Sequence, residues 1–221
     1  MDHAVSVHGC VLKHRPVGEY DWLVTLLTAE KGKITAFARG ARKPGTRLSG
    51  NVEPFSFGTF DLYPGKNSHV LTGAAIDRYF ESFRQDLEQA AYGTFFLEVA
   101  DYYMRENLEA APFLNLLYVS LLALSEKHPD RENRLVRCAY EIRAMVTEGV
   151  FPGTERLLPL PQALIRAIGH IEQAPLKKLY SFTLRKDLTD ELVRVTARLR
   201  NMVMDRKPNS LEMLGLYEKG E

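Results

Sequence analysis

Six basic residues, Lys31, Lys33, Arg39, Arg42, Lys43 and Arg47, fall within the run KGKITAFARGARKPGTR, which holds no acidic residue although the 221-residue chain is formally only +1. The first part of the run alternates as a strand does, with Ile34, Ala36 and Ala38 toward one face and Lys33, Thr35, Phe37 and Arg39 toward the other. One face suits a core and the other is cationic and aromatic. Lys and Arg neutralise phosphates while a ring stacks a base, so single-stranded nucleic acid is the ligand that fits such a face. The alternative is a strand edge charged for solubility and against edge pairing. Phe37 is the stacking candidate, or else a half-buried strand residue. The Gly40 to Gly45 loop can bend Arg42, Lys43 and Arg47 round a phosphate backbone. Lys13 and Arg15 either extend the track or remain isolated surface charges. Lys177, Lys178, Arg185 and Lys186 form a second basic cluster that suits DNA or an acidic tail.

The elements that must position these groups change grammar along the chain. Val5, Val7 and Val11 alternate before the polar HRPVGEYD turn, DWLVTLLT follows with Trp22 assigned to the core, and a turn at Lys31 and Gly32 leads to KITAFAR. Further strands are expected at 54–63 and 68–76, separated by the turn PGKN. Five short strands with a long loop after the third predict a Greek-key barrel of the oligonucleotide-binding (OB) type over residues 1–80. From residue 81 to 221 the periodicity is helical. Ser82 and Gln85 have capping-box spacing ahead of an amphipathic helix at 83–106. Leu114, Leu117, Leu121 and Leu124 mark a second helix, and Leu135, Cys138, Ile142 and Met145 a third that stops near Gly149. A fourth is expected over 159–171, then an extended LYSFTLR, then a fifth capped by Thr189 with Leu192, Val195, Leu199 and Met202 inward, and a last turn at NSLEML. The fold class is therefore α+β.

A chain that is 45% hydrophobic can bury a core. It has no run of about 18 apolar residues and no signal-peptide pattern, which predicts a cytoplasmic protein without a membrane partner. Charge is uneven: residues 1–80 sum to 10 − 7 = +3, residues 81–150 to 7 − 12 = −5 and residues 151–221 to 12 − 9 = +3. Anion binding is thus expected outside the middle segment.

Catalytic chemistry finds no constellation. YPGKN lacks P-loop spacing and reads as a hairpin turn, with Asn67 where a hydroxyl would be needed beside Lys66. His3, His8, His14, His69, His128 and His170 are scattered, and surface or capping roles are expected for each. There is no GxSxG or GxGxxG, and Asp187 and Asp190 sit where a helix start accounts for them. Cys10 and Cys138 show no metal-site spacing. No enzyme is expected.

The VLK strand, the GEYD turn, EKGK, ARGAR and LSGNVEPF resemble the N-terminal domain of the bacterial RecO family of recombination mediators. DLEQAAY, the segment from Leu135 to Gly149, APLKKL and PNSLEML resemble its helical part, so the likeness runs almost end to end. The resemblance implies an OB barrel joined to a helical domain, binding of single- and double-stranded DNA, strand annealing and help in loading RecA onto DNA coated by single-strand-binding protein (SSB). It implies RecR and the acidic C-terminal tail of SSB as partners, and a cytoplasmic, nucleoid-associated location. Many members insert a zinc module with two CxxC pairs after the third helix. The junction here is VFPGTERLLPL, without a cysteine, so no zinc or other cofactor is expected. Asn209 stands where the family usually has Lys, which removes a basic contact from the last turn. The runner-up function is an OB-helical adaptor that acts mainly through protein contacts.

Overall fold

The alternation in the basic run folds as it reads: in β3 (Gly32–Ala38) Ile34, Ala36 and Ala38 are buried while Lys33, Thr35 and Phe37 are half-buried. The computed structural model describes residues 4–65, 68–126, 128–157 and 159–218; His3, Lys66 and Asn67 lie outside them. β3 is joined by β1 (Val5–Val17), β2 (Asp21–Thr28), β4 (Phe57–Pro64) and β5 (His69–Arg78) in a closed barrel of order β1-β2-β3-β5-β4. All neighbours are antiparallel except β3 and β5, which meet in parallel at Ala36 with His69 and Phe37 with Val70. This is the expected OB-type barrel, and closure leaves no edge to aggregate. Val7, Val11, Val24, Leu26, Ile34, Phe60, Leu62 and Leu71 fill it, with Ala41, Leu48 and Val52 entering from the loop after β3.

The fourth strand begins three residues later than expected. Phe55 adopts a left-handed φ of 72° and bonds its N–H to Val11 O, while Ser56 O accepts from Val11 N, so 54–56 clamp β1 instead of extending β4.

The chain divides into two compact units, residues 1–81 with 100–114, and residues 82–99 with 115–221. In the barrel unit the return segment closes the β2–β3 hairpin: Arg105 O accepts from Lys33 N, Lys31 O from Asn107 N, and Ala29 O from Ala110 N. Gly32 makes this closure possible. It holds a φ of 64°, and a Cβ there would meet Arg105 O at 2.3 Å and Leu108 O at 2.5 Å.

The helical part comprises α1 (Ser82–Gln85), α2 (Leu87–Tyr103), α3 (Ala111–Ser125), α4 (Asn133–Thr147), α5 (Gln162–Gln173), α6 (Lys186–Val203) and α7 (Leu211–Glu218). The single helix expected at 83–106 is thus divided at Asp86 and ends early. Ser82 Oγ is buried without a hydrogen-bond partner among the described residues, so no capping box forms; Asp86 Oδ1 accepts from Gln89 N and caps α2 instead. α2 stops because residues 104–110 leave it for the hairpin. α5 starts after Pro161, not at Pro159, and Leu179–Arg185 forms no strand. Thr189 lies inside α6, bonding back to Arg185 O, and is no cap. Met202 is 55% exposed, not inward.

Charge is buried in the helical unit. Arg137 and Glu141, each 2% exposed, pair on α4; Glu141 Oε2 also accepts from Arg200 Nη1 at 2.7 Å, and Glu218 accepts from Arg137 Nε at 2.8 Å and from Tyr92 OH at 3.2 Å. α2, α4, α6 and α7 are thereby fixed in one register, and Glu98 adds a clamp on Ser210 N and Oγ ahead of α7.

Two substitutions test these supports in urea denaturation. Gly32→Ala is expected to cost about 1–3 kcal/mol or more, since both φ and space oppose it. Glu141→Gln is expected to cost about 3–5 kcal/mol by leaving two buried guanidiniums short of their carboxylate.

Candidate nucleic-acid interface

Strict alternation along β1 would put Lys13 and Arg15 on the same face as Val7 and Val11, which are buried in the barrel. A bulge between Val11 and Lys13 reverses their phase. Val11 then pairs with buried Leu26, but Lys13 pairs with Thr25 and Arg15 with Leu23. Across the next ladder Thr25 meets Thr35, Leu23 meets Phe37 and Leu27 meets Lys33. Three rows therefore cross the outer face of β1–β2–β3: Arg15–Leu23–Phe37, Lys13–Thr25–Thr35, and Leu27–Lys33. The face brings together Lys13, Arg15, Lys33 and Phe37, which sequence spacing could not group.

Two of these cations are already engaged. Asp101, on the last turn of α2, accepts from Lys13 Nζ at 2.6 Å and from Lys33 Nζ at 3.2 Å, and its backbone carbonyl takes Lys33 Nζ at 2.7 Å. Partial burial alone would raise the Asp101 pKa, but the two ammoniums outweigh it and hold the carboxyl below the usual aspartate range. The sequence offered no signal for this pairing, because 101 is remote from 13 and 33.

The loop from Arg39 to Ser56 is anchored rather than slack. Gly40 N bonds Asp21 Oδ1, Arg42 N bonds Tyr20 O, Thr46 Oγ1 bonds Gly40 O and Lys43 O, and Asn51 bridges Arg47 O, Ala74 O and Tyr79 OH. At the barrel's end Trp22 is half-buried, not fully core. His14 stacks on it at 3.9 Å with ring planes 2° apart, and the Arg42 guanidinium lies 5.1 Å from the Trp22 centroid. Lys43 Nζ sits 4.4 Å from the Tyr20 ring centroid. Each cation–π contact is worth about 0.5–1 kcal/mol at such exposed sites, enough to fix where these charges point. His14 also bonds Val52 O through Nδ1, an interior role that its sequence context did not suggest.

Arg15, Arg39 and Arg47 are exposed and have no ion-pair partner among the described residues. They are exposed cations of the barrel unit that no described residue engages in an ion pair. Lys31 is half-buried beside Gly32 and likewise has no ion-pair partner among the described residues. In the helical unit Lys177, Lys178, Arg185 and Lys186 are all exposed, on the turn at Leu176–Lys178 and at the start of α6, and Arg185 pairs with Asp187 at 2.9 Å.

The profile described as Recombination protein O N terminal matches residues 1–80, and that described as Recombination protein O C terminal matches residues 84–156. The chain belongs to the RecO family. It is 24% identical to the DNA repair protein RecO of Acetivibrio thermocellus, over 97% of this chain and 98% of that relative. It is 27% identical to that of Clostridium perfringens over 93% of this chain and 95% of the relative, and 33% identical to that of Moorella thermoacetica over 77% and 62%. The A. thermocellus alignment spans 247 positions against 221 residues here, so at least 247 − 221 = 26 of them face gaps in this chain. The chain has two cysteines, Cys10 and Cys138, both buried, and no group of three potential ligands converges among the described residues. Nor is any described helix long and apolar enough to cross a membrane.

Asp101→Asn tests the electrostatic frame. Its carboxylate has a depressed pKa in the fold, so the stability it adds is present above the ordinary aspartate range and is lost as pH falls through its own lower pKa. The variant is expected to lose about 1–2 kcal/mol at pH 7, and the gap between its urea midpoint and that of the wild type should close below about pH 4.

Proposed function

We propose that this chain is a non-catalytic DNA repair and recombination mediator that holds single- and double-stranded DNA on the outer face of β1–β2–β3 and on the basic loop that follows. The observation that carries this reading is the continuous row structure of that face, where Arg15, Leu23 and Phe37 lie side by side, with Arg39 following β3 directly and Arg47 on the loop beyond it. Guanidiniums without an ion-pair partner among the described residues, beside an aromatic surface, suit a phosphate backbone with exposed bases. Membership of the RecO family supports the finer parts of the proposal: strand annealing, RecA loading on SSB-coated DNA, and RecR as a partner. Lys177, Lys178, Arg185 and Lys186 are the proposed contact for DNA or for the acidic C-terminal tail of SSB. The mediator works in this reading without zinc or any other cofactor, as the cysteine-free junction supports.

One observation favours a second reading, an adaptor acting mainly through protein contacts. Lys13 and Lys33 share the Asp101 carboxylate, and Arg42 and Lys43 are laid on Trp22 and Tyr20, which leaves fewer cations for phosphate than the sequence counts.

Replacing Arg15, Arg39 and Arg47 together by Ala separates the two. None of these breaks an ion pair, so the fold should stand. Anisotropy titration with labelled single-stranded DNA should show weaker binding for every sequence alike, because backbone contacts position without specifying. The slope of log affinity against log salt should shrink by about 2, at about 0.7 for each lost phosphate contact. Unchanged affinity and slope would favour the adaptor.

A further inference from the structure

Two nitrogen-bearing side chains share the indole of Trp22, the only tryptophan in the sequence. His14 is half-buried in β1 between the exposed Lys13 and Arg15. It pairs with Val24, which makes Trp22 its diagonal neighbour across the ladder, and the two rings stack at 3.9 Å. From the loop after β3 the exposed Arg42 guanidinium lies over the same indole at 5.1 Å and donates to Gly18 O at 3.3 Å. His14 also reaches that loop. Its Nδ1 is 3.2 Å from Val52 O, and since a carbonyl only accepts, Nδ1 carries the proton of the neutral ring. Nε2 then presents a lone pair, and it faces the Glu53 carboxylate at 3.9 Å, acceptor to acceptor.

We propose that His14 is a proton-operated switch: taking up a proton on Nε2 fastens Glu53 to the end of the barrel and drives Arg42 off Trp22. The proton turns the lone pair into a donor, so the successive loop residues Val52 and Glu53 are both tied to one ring. It also puts a second cation on an indole that already holds one, and like charges this close repel. Arg42 is the exposed and movable member of the pair, whereas His14 is held by its loop contacts. Glu53 draws the charge onto His14, and Arg42 opposes it. The other charges nearby are committed or turned away: Asp21, beside Trp22, accepts from Gly40 N, while Lys13 and Arg15 lie on the opposite face of β1. Imidazole suits such a role, since its charge ordinarily changes between about pH 5 and 8. The switch goes beyond the DNA-binding reading, because it concerns the loop's own state and stands with or without DNA.

The test uses the full chain without DNA. An imidazolium quenches a stacked indole more than the neutral ring does, so Trp22 emission should fall in a single step as pH is lowered from about 8 to about 5. Over the same range the Arg42 side-chain protons, moved upfield in the NMR spectrum by the indole ring current, should return toward their ordinary positions. His14→Gln keeps a donor for Val52 O but does not titrate, so its emission should stay level and Arg42 should remain upfield. Because that variant alters a half-buried ring, two milder ones accompany it. Glu53→Gln should lower the midpoint of the emission step by about half a pH unit, and Arg42→Met should raise it by a similar amount. An emission step that persists in His14→Gln, a midpoint indifferent to both charge removals, or Arg42 protons that ignore pH in the wild type would each overturn the switch.

Discussion

One carboxylate sets the electrostatics of the barrel face. Asp101 draws together Lys13 from β1 and Lys33 from β3, two like charges on strands separated by β2, and its peptide carbonyl takes a further bond from Lys33. Burial at such a position raises the pKa of a lone carboxylate; the two ammoniums outweigh that effect and make the side chain a strut between the sheet and residues 100–114. The strut leaves the face with one net positive charge at that spot instead of two. The field available to a polyanion is therefore concentrated toward Arg15, Phe37 and the loop, away from the end of β3 where the run of basic residues begins.

The helical unit solves a harder electrostatic problem in its interior. Arg137, Glu141, Arg200 and Glu218 alternate in sign, so every buried charge faces an opposite one. Such chains seldom add much net stability over an apolar core, but they penalise any misregister of α4, α6 and α7 by stranding a charge. The burial also pushes the Tyr92 hydroxyl and the Cys138 thiol, the latter to about 11, well away from titration near neutrality. These groups are structural, and none of them is poised as an acid or base.

Sequence reading reached the barrel because its signals are local. Alternation in GKITAFA, the leucine stripe of α3 and the Leu135, Cys138, Ile142 and Met145 stripe of α4 are periodicities that packing merely uses. It failed where the deciding contact is distant or where two local options compete. Ser82 had the spacing of a cap, yet Asp86 took the role four residues on; Thr189 resembled a cap and instead bonded within the helix. The site shows the same division. The cations and Phe37 were legible as residue types, but which of them are spent depends on Asp101, Trp22 and Tyr20.

The bulge at Leu12 has a consequence for how this face is inherited. Lys13 and Arg15 point outward only because one extra residue shifts the phase of β1; nothing in their own chemistry selects that side. The polarity of the face is thus encoded as a count, not as a composition. Loss of a single codon there would leave every basic residue in the sequence and still turn two of them toward the barrel's interior, so a relative could keep the residues of this surface and lack the surface.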